Sequence, residues 1–123
     1  QWSNKIEANY CSSIANTNDN GYLISCNISN SVSLIKFDSN GVNEGSKKII
    51  EFTNINELYR TPTPLKQISN NEYVLAFLLK ENSEQIRLNV NKFYIEDLIQ
   101  DIEIEKTETI RKKIRNGEYI NED

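Results

Sequence analysis

Asn18-Asp19-Asn20-Gly21-Tyr22-Leu23-Ile24-Ser25 is a turn leading into a strand, and Asn70-Asn71-Glu72-Tyr73-Val74-Leu75-Ala76-Phe77 repeats the arrangement. The two stretches lie about fifty residues apart, a spacing typical of repeat architectures. In the first, Asn, Asp and Gly tolerate positive φ or bond their own backbone, so the chain can reverse there. The apolar, tyrosine-led runs that follow suit strands. A duplication of this length describes an architecture, and nothing of comparable weight marks a reaction.

Outward from the first copy, Ser12–Thr17 reads as a short strand anchored by Ile14, Tyr22–Asn27 as a second and Val32–Asp38 as a third. In the third, Val32 and Leu34 share a face with Lys36, while Ser33, Ile35 and Phe37 share the other. Both faces carry apolar residues, so this strand is expected to be covered on two sides. Asp38-Ser39-Asn40-Gly41 forms another turn, and Lys47–Phe52 a fourth strand.

Around the second copy, Leu65–Ile68 mirrors Ser13–Asn16, Tyr73–Leu79 mirrors Tyr22–Asn27, and Gln85–Phe93 mirrors Val32–Phe37. Lys36-Phe37 and Lys92-Phe93 fall at matching strand ends. The second copy has a longer, charged hairpin loop at Lys80–Glu84, and Asn54–Pro64 connects the copies. In the tail, Ile102 and Ile104 alternate with acids like a strand over Asp101–Lys106. Ile110 and Ile114 suit a short helical segment over Glu108–Arg115. The expected fold is therefore all-β and antiparallel: one domain or fragment over 1–123, with four-stranded repeats at 10–52 and 63–106.

Composition agrees. The hydrophobic fraction of 37% is low, which fits a thin core. Abundant Ile and Asn with scarce Ala favour strands and turns over helices. A net charge of −4 lacks the basic footprint of a nucleic-acid binder. The short basic runs Lys47-Lys48 and Arg111-Lys112-Lys113 with Arg115 read as solvated surface. No stretch approaches the roughly 18 apolar residues of a membrane helix. With Gln1 first and no Met, the chain reads as a processed form or a fragment.

Cys11 and Cys26 are too few for a disulfide scaffold, yet they flank the first hairpin. With the turn at Asn18–Gly21, Thr17 faces Tyr22 and Ser13 faces Cys26. Cys11 is then diagonal to Cys26, near the limit of bridging distance. A shift of one residue in the turn changes this relation, so a bridge and two free half-buried thiols both stay open. Free thiols are the favoured reading.

Trp2-Ser3-x-Lys5, Ser13-Ile14-x-x-Thr17-x-Asp19-x-Gly21-Tyr22-Leu23-Ile24 and Leu34-Ile35-Lys36-Phe37-Asp38-x-x-Gly41 together resemble the β-propeller repeats of secreted bacterial proteins. Asn20 departs from that pattern, as does Ser46 near an expected tryptophan; Trp2 would be the tryptophan of a preceding blade. The second copy is degenerate, with Glu72 for glycine and Tyr94 for aspartate. The resemblance implies blades, either part of a propeller or a small two-sheet assembly. It marks Asp19, Gly21, Tyr22, Asp38, Gly41, Tyr73 and Phe93 as structural repeat positions. It also implies a secreted or cell-surface setting, with no catalytic residues to carry over. Two blades cannot close a ring, so further blades of a longer chain or a homo-oligomer are expected.

Thr17-x-Asp19-x-Gly21 also resembles the Asp-box of sialidase-type propellers, where the aspartate stabilises its own turn. Asn16-x-Asn18-x-Asn20-Gly21 looks like the start of a calcium loop, but the twelfth position is Asn27 where a bidentate Glu is needed. No metal or cofactor is expected. Lack of histidine removes the commonest general base and the Ser-His-Asp and Cys-His nucleophiles. A carboxylate pair remains conceivable among Glu96, Asp97, Asp101, Glu103 and Glu105, as in a glycoside hydrolase fragment, though their spacing is undistinguished. Tyr22 and Tyr73 read as packing residues rather than a carbohydrate platform. Asn27-Ile28-Ser29 fits a glycosylation sequon.

These readings point to a non-catalytic extracellular β-repeat module that binds a protein or glycan, or scaffolds other domains. An alternative is a small acidic inhibitor or immunity-type protein that covers an enzyme with Asp101, Glu103 and Glu105 aligned on one strand face.

Overall fold

The computed structural model describes residues 3, 5, 6, 8, 10–52, 64–80, 82 and 84–115. Trp2 and nearly all of the connection expected at Asn54–Pro64 lie outside them. Strands β1 (Tyr10–Asn16), β2 (Tyr22–Ile28), β3 (Ser31–Phe37) and β4 (Asn43–Glu51) form an antiparallel meander in sequence order. A second antiparallel sheet holds β5 (Lys66–Gln67), β6 (Glu72–Lys80) and β7 (Ile86–Tyr94), and helix α1 (Ile95–Arg115) follows directly. No closed barrel or propeller forms among the described residues.

The two units share turn hydrogen bonds and strand register. Thr17 N–H donates to Gly21 O at 3.0 Å, and Ile68 N–H donates to Glu72 O at 2.9 Å, closing equivalent turns. Tyr22 lies opposite Phe37 in the first sheet, as Tyr73 lies opposite Phe93 in the second. Leu23 opposes Lys36, and Val74 opposes Lys92. Each sheet therefore carries a tyrosine-side face and a lysine-side face, set by the same parity.

The second unit is not a four-stranded sheet. Where a fourth strand was expected, α1 begins immediately after β7 and is continuous through Asp101–Lys106 and Glu108–Arg115. The helical signal is Ile95, Leu98 and Ile102, spaced by three and four residues and all buried. Glu96 and Asp97 in the first turn and Lys112, Lys113 and Arg115 in the last complement the helix dipole. Alternation of Ile102 and Ile104 was coincidental, because only Ile102 enters the core while Ile104 is exposed.

The two sheets pack face to face in a head-to-tail sense. The lysine-side face of the first sheet supplies Leu23, Val32 and Leu34, which meet Tyr73, Leu75, Phe77 and Leu79 from the tyrosine-side face of the second. Tyr73 stacks on Phe93 with ring centroids 5.9 Å apart, and its hydroxyl donates to Asn16 O at 2.6 Å. Burying these aliphatic and aromatic side chains contributes roughly 1.5–3 kcal/mol each. The Asn18 side-chain amide ties the turns together by donating to Asn70 O and, at 2.8 Å, to Asn71 Oδ1. Helix α1 runs along the gap between β4 and β7, adding Ile95, Leu98 and Ile102 to the shared core. It lies against Gly45, where φ is 130° and a Cβ would sit 2.4 Å from Ile102 Cγ2.

On the opposite, tyrosine-side face of the first sheet, Cys26, Ile35 and Phe37 are buried with Tyr22, Ile24 and Ile28 beneath Ile6 and Ala8. Strand β3 is thus covered on both sides, and all seven of its residues are buried. Cys11 and Cys26 form a disulfide here, overturning the free-thiol reading. The register explains why. Asn16, not Thr17, lies opposite Tyr22, so Ser13 meets Ser25, and an irregularity between Cys11 and Ser13 sets Cys11 directly across from Cys26.

Candidate functional site

The polar centre of the first unit is a buried lysine. Lys36 sits on the lysine-side face, is 1% exposed, and spends its three ammonium protons on named acceptors. They are Asp19 Oδ2 at 2.9 Å, Glu44 Oε1 at 2.8 Å and Phe37 O at 2.9 Å. Asp19 in turn accepts from Thr17 Oγ1 at 2.5 Å and from Gly21 N–H at 3.0 Å through its other oxygen. Burial pushes the Asp19 carboxyl up, but the bonds from Thr17, Lys36 and Gly21 and the nearby ammonium charge outweigh it, holding it at about 2. Burial likewise opposes charge on Lys36, yet its bonds to Glu44 and Asp19 hold its pKa above the usual lysine value.

Gly21 is required for space. A Cβ there would lie 2.3 Å from Phe37 O, 2.7 Å from Lys36 Nζ and 2.9 Å from Asp19 Oδ1. Asp19 and Gly21 thus hold this turn together and also fix a charge within the sheet stack. Asp38 closes the next turn, accepting from Asn40 N–H at 2.8 Å and Val42 N–H at 2.9 Å, with Gly41 at φ 82°. Sequence reasoning did not single out Lys36. Its signal was a lysine sharing a strand face with Val32 and Leu34, and an acid in the adjacent turn.

The second unit turns its corresponding lysine-side face outward. Strand positions Val32, Leu34 and Lys36 correspond through the register to Leu88, Val90 and Lys92, as Leu23 does to Val74. In the first sheet these positions are buried against the neighbouring unit. In the second, Leu88 is 62% and Val90 54% exposed, with Ile86 and Tyr94 also open to solvent. Val74, Ala76 and Leu78 complete the face from β6, flanked by Glu72 at one end and Lys80 at the other. Singly exposed apolar residues are ordinary, but a contiguous aliphatic sheet face is not.

Other expected groupings do not assemble. Asp101 pairs with Lys47, while Glu103 and Glu105 are exposed on α1. At helical spacing Glu103 points away from Asp101 and Glu105, so the single acidic strand face does not exist. Glu96 and Asp97 lie in the first turn of the same helix rather than across a cleft from it. Asn18 is committed to the second turn, and Asn27 is buried in the sheet interior, so the calcium-loop positions do not converge. Burial of Asn27 also removes the sequon from solvent. Tyr22 and Tyr73 occupy equivalent strand positions as packing residues. No helix among the described residues is long and apolar enough to cross a membrane. The chain matches no family model, no curated protein and no solved structure.

Proposed function

We propose that this chain is a non-catalytic, extracellular β-repeat module that binds protein through the outward lysine-side face of its second sheet. The single observation carrying this reading is that the face used for stacking in the first unit is left open in the second. Its chemistry favours a protein over a glycan: Val74, Leu78, Ile86, Leu88 and Val90 are aliphatic, and Tyr94 at the margin is the one aromatic among the described residues of the face. Sugars are held by aromatic platforms with convergent polar groups, whereas aliphatic sheet faces are covered by other sheets. The Cys11–Cys26 disulfide supports an oxidising setting. The paired turns support a resemblance to bacterial propeller repeats.

The test is binding of the apolar dye anilinonaphthalene sulfonate to the native chain at low micromolar concentration. Enhancement that disappears in Leu88→Asp/Val90→Asp, with the circular dichroism of the sheets retained, is expected. Enhancement indifferent to both changes would refute the assignment.

A further inference from the structure

We infer that two copies of this chain pair through this face about a two-fold axis running along the Ala76–Val90 register pair. The inference rests on the protein-binding reading above and names the partner. Among the described residues, the tyrosine-side face of the second sheet is covered by the first sheet, and that of the first is partly covered by Ile6 and Ala8, with Ile14 exposed at its edge. A second copy therefore offers little free tyrosine-side face for head-to-tail stacking. What it offers is the same lysine-side face, and like faces pair isologously.

The order of residues along the strands is self-complementary under that symmetry. On the outward side β6 carries Glu72, Val74, Ala76, Leu78 and Lys80, opposite Tyr94, Lys92, Val90, Leu88 and Ile86 of β7. Reversal about the central pair sets Glu72 against the second copy's Lys80, and Lys80 against its Glu72. Val74 then meets Leu78, Ile86 meets Tyr94, and the aliphatic stem of Lys92 crosses Leu88. Like charges never meet, and opposite charges close both ends of an apolar centre. The two nine-residue strands rise to about 30 Å and span roughly 10 Å, so the pair buries on the order of 600 Å² in total. This is below the ~1,200 Å² of standard stable interfaces, so the pairing is weak and populated only at high protein concentration.

Sedimentation velocity over a range from roughly 10 μM to 1 mM tests this, reading the wild type, Lys80→Glu and the swap Glu72→Lys/Lys80→Glu. The wild type should shift from monomer to dimer mass across the range. Lys80→Glu sets Glu against Glu twice and should weaken association about tenfold or more, while the swap restores it. Both charge variants keep the aliphatic centre, so circular dichroism should be unchanged. Monomer throughout, or a swap that fails to restore association, overturns the pairing. If Leu88→Asp/Val90→Asp still abolishes dye binding in that case, the face stands and the second copy is the wrong occupant. Loss of both signals rejects the face as well.

Discussion

Lys36→Met should destabilise the fold less than Asp19→Asn, although both break the same ion pair. Met replaces the buried ammonium with a side chain of similar length and removes the cost of desolvating a charge, which is several kcal/mol. The carboxylates it leaves behind are already half in water, Asp19 at 52% and Glu44 at 42% exposure. Phe37 O loses a donor, at a cost of about 1–3 kcal/mol. These opposing effects leave Lys36→Met within about 1 kcal/mol of the wild type. Asp19→Asn instead keeps the ammonium buried and presents an amide to it with half the compensating charge gone. Lowering of the Asp19 carboxyl from 3.8 to about 2 corresponds to at most roughly 2.4 kcal/mol. Because that group is half exposed, screening reduces it to about 1 kcal/mol. Misdirection of the amide adds about as much again, so Asp19→Asn should cost about 2 kcal/mol.

Urea unfolding followed by circular dichroism gives both values, and the double variant should cost no more than Asp19→Asn alone. The pH dependence carries the same signature. A carboxyl whose folded pKa is depressed contributes stability that is full above its unfolded value near 3.8 and lost as pH falls toward about 2. That share of the acid loss should be absent in Asp19→Asn. Lys36, with a raised folded pKa, contributes stability present below its unfolded value of 10.5 and lost as pH rises through the higher folded one. A larger loss in Lys36→Met than in Asp19→Asn would refute the assignment of Lys36 as a compensated buried charge.

Gly21→Ala should cost about 1–3 kcal/mol in the same urea assay, since its methyl overlaps Phe37 O and Lys36 Nζ, and a cost near zero would contradict the packing at that turn. Reduction of Cys11–Cys26, or Cys11→Ser/Cys26→Ser, opens a loop of fifteen residues and should lower stability by about 3 kcal/mol without changing the strand signal. Gly45→Ala, strained at positive φ and pressed on Ile102, should loosen α1 from β4. Amide exchange should then accelerate over Ile95–Lys106 while β2 and β3 stay protected.

Local periodicity carried most of the strand pattern. The tyrosine-led strands, the turns at Asn18–Gly21 and Asp38–Gly41, and the two covered faces of β3 all follow from neighbours in sequence. What failed depended on longer range. Helix α1 was hidden because Ile102 and Ile104 alternate with Asp101, Glu103 and Glu105, and only packing against Gly45 and β7 decides which isoleucine is core. The disulfide was obscured by a register set one residue from the assumed turn and by the irregularity between Cys11 and Ser13. Lys36 was passed over because its partners, Asp19 and Glu44, lie in two different connections that only the folded meander brings together. The open face of the second sheet was invisible until the fold showed which side of each repeat was already occupied.

Methyl-resolved NMR of dilute native protein, with a soluble paramagnetic relaxation agent, tests the head-to-tail stacking most directly. Leu23 and Leu34 methyls should show contacts to the Tyr73 and Phe77 rings and little relaxation, while Leu88 and Val90 methyls relax strongly. Shielded Leu88 and Val90 beside solvent-relaxed Leu23 and Leu34 would mean the sheets meet through the other pair of faces, contradicting the arrangement described.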